Sequence, residues 1–187
     1  MDGAEQRGRK VARRVTPQSL ENAALHYLER FATSSANLRR VLMRRVQRSA
    51  RDHGTDPEEG AAWVDALVER YRRSGILDDR VYAEARAASL QRRGASTRAI
   101  REKLAAKGIG REQADAALDA LGEEIGGDLD LEAAKAFARR RRLGPFRAGD
   151  REAQRERDLA ALGRAGFSYE TARRVIDARD PDAIDEE

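Results

Sequence analysis

Leu104-Ala-Ala-Lys-Gly108-Ile109 reads as the end of a helix. Glycine adopts the left-handed conformation at C′ without the Cβ clash that other residues suffer. In a Schellman cap the apolar residues at C3 and C″ then touch across it. Counting from Gly108, Leu104 is C3 and Ile109 is C″. The same phrase stands at Tyr71-Arg-Arg-Ser-Gly75-Ile76 and at Leu162-Gly-Arg-Ala-Gly166-Phe167. Three copies of one helix-ending device predict a helical repeat protein, an architecture suited to binding surfaces.

Nearer the N-terminus, Thr16-Pro17 supplies an N-cap and a proline at N1, and the helix behind it places Leu20, Ala24, Tyr27, Leu28 and Phe31 on one face. Ser34 or Ser35 caps a second helix carrying Leu38, Val41, Leu42 and Val46. A polar connector over 48–55 then leads to Asp56-Pro57-Glu58-Glu59, a D-x-x-E capping signature before Trp63, Leu67 and Tyr71. Asp78-Asp79 opens a helix with Tyr82, Ala83 and Leu90 inward and Gly94 as its stop. Ser96 caps the helix of Ile100 and Leu104, and Gly110 begins that of Ala114, Ala117, Leu118 and Leu121. A third unit opens near Asp128 or Asp130, with Leu131, Ala134 and Phe137. It continues with a helix from Asp150 through Leu159 and Leu162, and ends with one capped by Ser168 that carries Ala172, Val175 and Ile176.

The second halves of units two and three align at an offset of 58, pairing Leu104 with Leu162, Gly108 with Gly166 and Leu118 with Ile176. Their first helices align at an offset of 50, Gly94 with Gly144. In unit one Leu38 matches Ile100 and Leu42 matches Leu104, without a matching glycine at that helix end. No stretch alternates with period two. The predicted fold is all-α: nine helices in three tandem three-helix repeats over 16–76, 77–125 and 126–179, between a disordered basic arm (1–15) and an acidic tail (180–187).

Composition agrees. Apolar residues make up 40% and charged residues 37% of 187, so the core is thin and suits small bundles in series. Without cysteine there is no disulfide, thiol nucleophile or Cys-based metal site. No apolar run approaches a membrane span, and the basic N-terminus lacks the apolar centre of a signal peptide. A cytoplasmic protein is expected, with no membrane partner, and nothing demands more than a monomer.

Chemistry is sparse. His26 and His53 have no partner at ligand spacing. Adjacent carboxylates such as Asp78 and Asp79 point in different directions at a helix start, where exposed N–H groups and the dipole favour them as caps. Each glycine cluster ends a helix rather than following a strand, which disfavours a phosphate loop. No catalytic, cofactor or metal site is expected.

Charge is unevenly distributed. Residues 1–50 carry +7 (11 Lys/Arg against 4 Asp/Glu) and residues 80–121 carry +4 (9 against 5), favouring a polyanionic partner. Arg39, Arg40, Arg44 and Arg45 share a helix surface by the i, i+4 rule, as do Arg98, Arg101, Lys103 and Lys107 on the matching helix of unit two. They read equally as a solvated surface or as one continuous concave track, since equivalent helices of a solenoid face the same way. Arg92, Arg93 and the run Arg139, Arg140, Arg141 and Arg142 complete the candidate binding residues.

Gly75-Ile-Leu-Asp78-Asp79-x-x-Tyr82-Ala83 resembles the joint between repeats of the RecX regulatory proteins. Arg92-x-Gly94, Ile100, Leu104, Gly108 and Ile109 follow at matching distances, and Gly166 repeats the terminating glycine. Ala24-Leu25-x-Tyr27-Leu28-x-Arg30 with Ser34 and Leu38 resembles the opening repeat. The resemblance spans about residues 17–177. It implies an elongated, curved array of three-helix repeats. It also implies binding along the groove of the RecA–single-stranded DNA filament, restraint of strand exchange, ATP hydrolysis and co-protease activity, and DNA binding, to single strands and also to duplex. Two other readings stand beside it: a sequence-independent DNA-binding protein acting without a recombinase, and a metal-dependent nuclease built on Asp78 and Asp79.

Overall fold

The computed structural model describes residues 14–185. Most of the expected arm and the last two residues of the acidic tail lie outside that range. Among the described residues there are nine α-helices and no strand. They are α1 (Pro17–Leu28), α2 (Ser35–His53), α3 (Pro57–Arg73), α4 (Asp79–Arg92), α5 (Thr97–Ala105), α6 (Arg111–Ile125), α7 (Leu129–Arg141), α8 (Arg155–Arg164) and α9 (Tyr169–Asp177). Each set of three encloses its own apolar cluster, around Leu38, Leu42 and Val64, around Ile100, Leu104 and Leu118, and around Phe137, Leu162 and Val175. The chain divides into two compact units, residues 1–78 and 79–187. The first bundle makes up one; the second and third share the other.

Caps explain where the helices start. Thr16 accepts from the Ser19 N–H while the Ser19 hydroxyl accepts from the Thr16 N–H, a reciprocal box. Ser34, Ser96 and Ser168 each accept from the N–H three residues on. At Asp56 the carboxylate accepts from the Glu58 N–H. The offset of 58 holds at both helix starts, where Gln154 stands at the N-cap matching Ser96 and Ser168 at the one matching Gly110, but α9 ends at Asp177, well short of the position matching the end of α6.

The C-caps sort into kinds. At Gly108 the Ile109 N–H donates to Leu104 O (3.1 Å) and the Gly108 N–H to Ala105 O (2.8 Å), the Schellman pattern. Gly166 repeats it with Phe167 and Leu162, and Gly94 with Ala95 and Leu90. Gly75 departs from the expected arrangement. Leu77, not Ile76, donates to Tyr71 O, so Leu77 is 4% exposed and Ile76 is 52% exposed. Helix α7 ends in a Schellman cap at Arg142, which adopts φ +55° while Leu143 donates to Ala138 O. Gly94 therefore corresponds to Arg142, an offset of 48 rather than 50.

Other expectations shift. Residues 48–53 continue α2 because Val46 and Ser49 still face the core, and the helix ends at Gly54 in the left-handed region. Phe31 lies past the end of α1 and is 54% exposed, against Tyr27 at 5.1 Å between centroids. Asp150 accepts from the Ala153 N–H in a turn, and α8 begins only at Arg155. Arg151 is held by the carbonyls of Ile176, Ala178 and Arg179, which keeps that segment out of the helix. Val15, assigned by sequence to the arm, is buried, with its N–H on Ser49 Oγ. The described part of the tail folds back as a 3-10 turn, Asp182–Asp185, burying Ile184 completely.

Candidate nucleic-acid interface

The candidate cations divide by what holds them. In the first unit Arg39 grips Asp65 of α3 with Nε on Oδ1 (2.6 Å) and Nη2 on Oδ2 (3.1 Å). This hydrogen bond holds the Asp65 carboxyl below its ordinary range. Arg101, the matching residue of the second bundle, donates to Asp115 of α6 at 2.6 Å and lowers that carboxyl likewise. In the third bundle Arg155 binds Asp177 through both oxygens at 2.7 Å. In every bundle an arginine of the second helix clasps an aspartate of the third. Arg39 and Arg101 therefore act first as clasps within their bundles. Arg40, Arg44 and Arg45 lie exposed along α2.

In the second unit, a cleft of about 950 Å³ opens between the second and third bundles. Arg93 just past the end of α4, Arg98 and Lys103 from α5, Arg140 and Arg141 from the end of α7, and Arg164 from the end of α8 line it. Glu102 is the one carboxylate among the described lining residues, 3.2 Å from Arg98 Nε. A smaller depression of about 410 Å³ continues past Arg141 and Arg164 to Arg147 and Arg157.

The floor is small and tightly built. A Cβ on Gly94 would stand 2.6 Å from Phe137 N and 2.9 Å from Ala133 O, so only glycine lets the two backbones meet there. The Ser96 hydroxyl donates to Ala165 O (2.9 Å), and Asp130 accepts from the Thr97 N–H (2.7 Å) and hydroxyl (3.0 Å). Arg140 donates to the Arg93 carbonyl. Helix ends of both bundles are thus fixed around the cleft.

The sequence candidates fall on both sides of this boundary. Arg93, Arg98, Lys103, Arg140 and Arg141 come together; Arg92, Arg101, Lys107, Arg139 and Arg142 do not line the cleft. Arg139 lies over the Phe146 ring at 5.4 Å, and Arg141, though lining the cleft, also covers Phe137 at 4.9 Å. Arg164 is not among the sequence candidates, although it sits inside the repeated phrase ending at Gly166. Of the joint residues, Gly75, Gly108 and Gly166 hold positive φ, Ala83 is buried, Tyr82 is half-buried on the second core, and Asp79 starts α4 just after Asp78. Among the described residues no three His, Asp or Glu side chains cluster as a metal would need, and no helix is long and apolar enough to cross a membrane.

Residues 78–118 match the family description "RecX, second three-helix domain". The chain is 48% identical over 179 residues to the regulatory protein RecX of Myxococcus xanthus, covering 95% of this chain and 94% of that one. It is 35% identical over 156 residues to the regulatory protein RecX of Agrobacterium fabrum, covering 83% and 80%. A crystal structure of a regulatory protein RecX superposes with a TM-score of 0.57 at 21% identity, covering 86% of this chain and 71% of that chain, a likeness of fold.

Proposed function

Because this chain belongs to the RecX family of regulatory proteins, we propose that it binds the RecA–single-stranded DNA filament and restrains its recombinase, ATPase and co-protease activities. By this route it would modulate DNA repair and the SOS response. The observation that carries the reading is similarity to a RecX regulatory protein along nearly the whole chain. The basic cleft adds a surface suited to the anionic strand inside such a filament. Regulation of this kind requires no catalytic group. A protein that binds one filament state more tightly than another shifts the population by its differential affinity alone. The proposed setting is the cytoplasm, with the protein acting as a monomer and without enzymatic activity.

The cleft also favours a second reading, sequence-independent DNA binding without a recombinase. Titration into the single-stranded-DNA-dependent ATPase reaction of the cognate RecA separates the two. Inhibition well below one protein per recombinase monomer is expected of a filament regulator. Inhibition only as the DNA becomes saturated would leave plain competition for DNA.

A further inference from the structure

We infer that the cleft between the second and third bundles binds the sugar–phosphate backbone of a single nucleic-acid strand, holding it by its phosphates rather than its bases. The inference deepens the filament reading and rests on it in naming single-stranded DNA as the strand encountered.

Three observations support it. First, Arg93, Arg98, Lys103, Arg140, Arg141 and Arg164 converge on one cavity with a single carboxylate among the described lining residues, a larger local excess than at the depression around Arg147 and Arg157 or the one around Asp115 and Asp119. Guanidinium forks match phosphate oxygens in pairs, and focused positive charge in a concave site attracts a polyanion. Second, between the cations the lining is mostly small, with Gly94, Ala95, Ala99, Gly163 and Gly166 beside the larger Leu90 and Phe137. Small residues leave room for a thin chain to approach the surrounding cations closely. Third, Phe137, the one aromatic residue among the described lining residues, is itself buried in the third core. Stacking platforms need exposed aromatic faces, and protein interfaces are usually anchored by aromatic or apolar side chains in pockets. Charge without rings fits a strand gripped irrespective of its bases, and fits a protein partner poorly.

Glu102 gives the site a test in the direction of gain. It holds Arg98 at 3.2 Å and places negative charge where a phosphate would lie. Glu102→Gln therefore tightens strand binding by roughly two- to fivefold at low salt, the range expected for one exposed ion pair.

The experiment is fluorescence anisotropy of the full chain with a labelled oligodeoxythymidine, without recombinase, across a salt series. Affinity should fall with a slope of about −0.7 per phosphate engaged. The variant Arg98→Ala, Lys103→Ala, Arg164→Ala removes three cations and should flatten that slope by about 2. An abasic strand of equal length should bind as well as the oligothymidine. An unchanged slope in the triple variant, no gain in Glu102→Gln, or loss of binding to the abasic strand would each overturn the inference. So would polyglutamate competing as well as the strand, which would transfer the cleft to an acidic protein surface. Recombinase is absent throughout, so failure here leaves the ATPase titration to judge the filament reading separately.

Discussion

Arg142 occupies the left-handed position that Gly94 and Gly108 occupy in the second bundle. A side chain there costs about 1–2 kcal/mol relative to a residue without Cβ. Arg142→Gly is therefore expected to raise stability by about 1 kcal/mol in urea denaturation. Gly75→Ala should lower it by a similar amount, since Gly75 holds φ +76° with open space around it. Gly94→Ala should cost clearly more, because its new methyl meets the backbone of α7 as well. Equal losses for the two glycine variants would contradict the interlock. The glycine phrases made the helix ends legible in the sequence. What they concealed was local: Ile76 and Leu77 are both apolar, and only the hydrogen bond from Leu77 to Tyr71 decides which turns inward. An arginine in a glycine's place gives no signal in composition or period.

Between elements, the recurring bond is the arginine–aspartate clasp from second to third helix. Hydrogen bonding from Arg39, Arg101 and Arg155 holds Asp65, Asp115 and Asp177 below the ordinary carboxylate range. A carboxyl depressed in the folded state stabilises fully above its unfolded pKa, near 4, and that stabilisation is lost as pH falls through the folded value. The urea midpoint should therefore be insensitive to these groups from neutrality to about pH 5 and decline below about pH 4. The Asp115→Asn variant should show a shallower decline. Asp158 is a deeper anchor: 1% exposed, it accepts from the Gly144 N–H at 2.9 Å and from Arg147 at 2.6 Å. Asp158→Asn should cost about 2–3 kcal/mol, reduced from a wholly buried pair because Arg147 is partly exposed. Sequence showed that arginines line the second helices, but not that two of the strongest candidates, Arg39 and Arg101, are committed to partners on the next helix. The i, i+4 rule sees one helix at a time.

At the scale of the molecule, the second and third bundles form one unit, joined where Gly94 meets Phe137, Ser96 meets Ala165 and Thr97 meets Asp130. Residues 79–187 expressed alone should unfold in one cooperative transition by calorimetry and by circular dichroism. Two resolved transitions would mean the bundles are independent. The cleft was half legible: Arg93, Arg98, Lys103, Arg140 and Arg141 stood out as charge, but their convergence depends on that junction, and Arg164 enters only through it. Filament-level regulation requires a preference for the assembled filament over its separate components. Its most direct test compares the equilibrium affinity of this protein for RecA filaments preassembled on single-stranded DNA, for the recombinase without DNA, and for the bare strand, at one salt concentration. Markedly tighter binding to the filament than to either component is the predicted result. Affinity for the filament no greater than for the bare strand would contradict it.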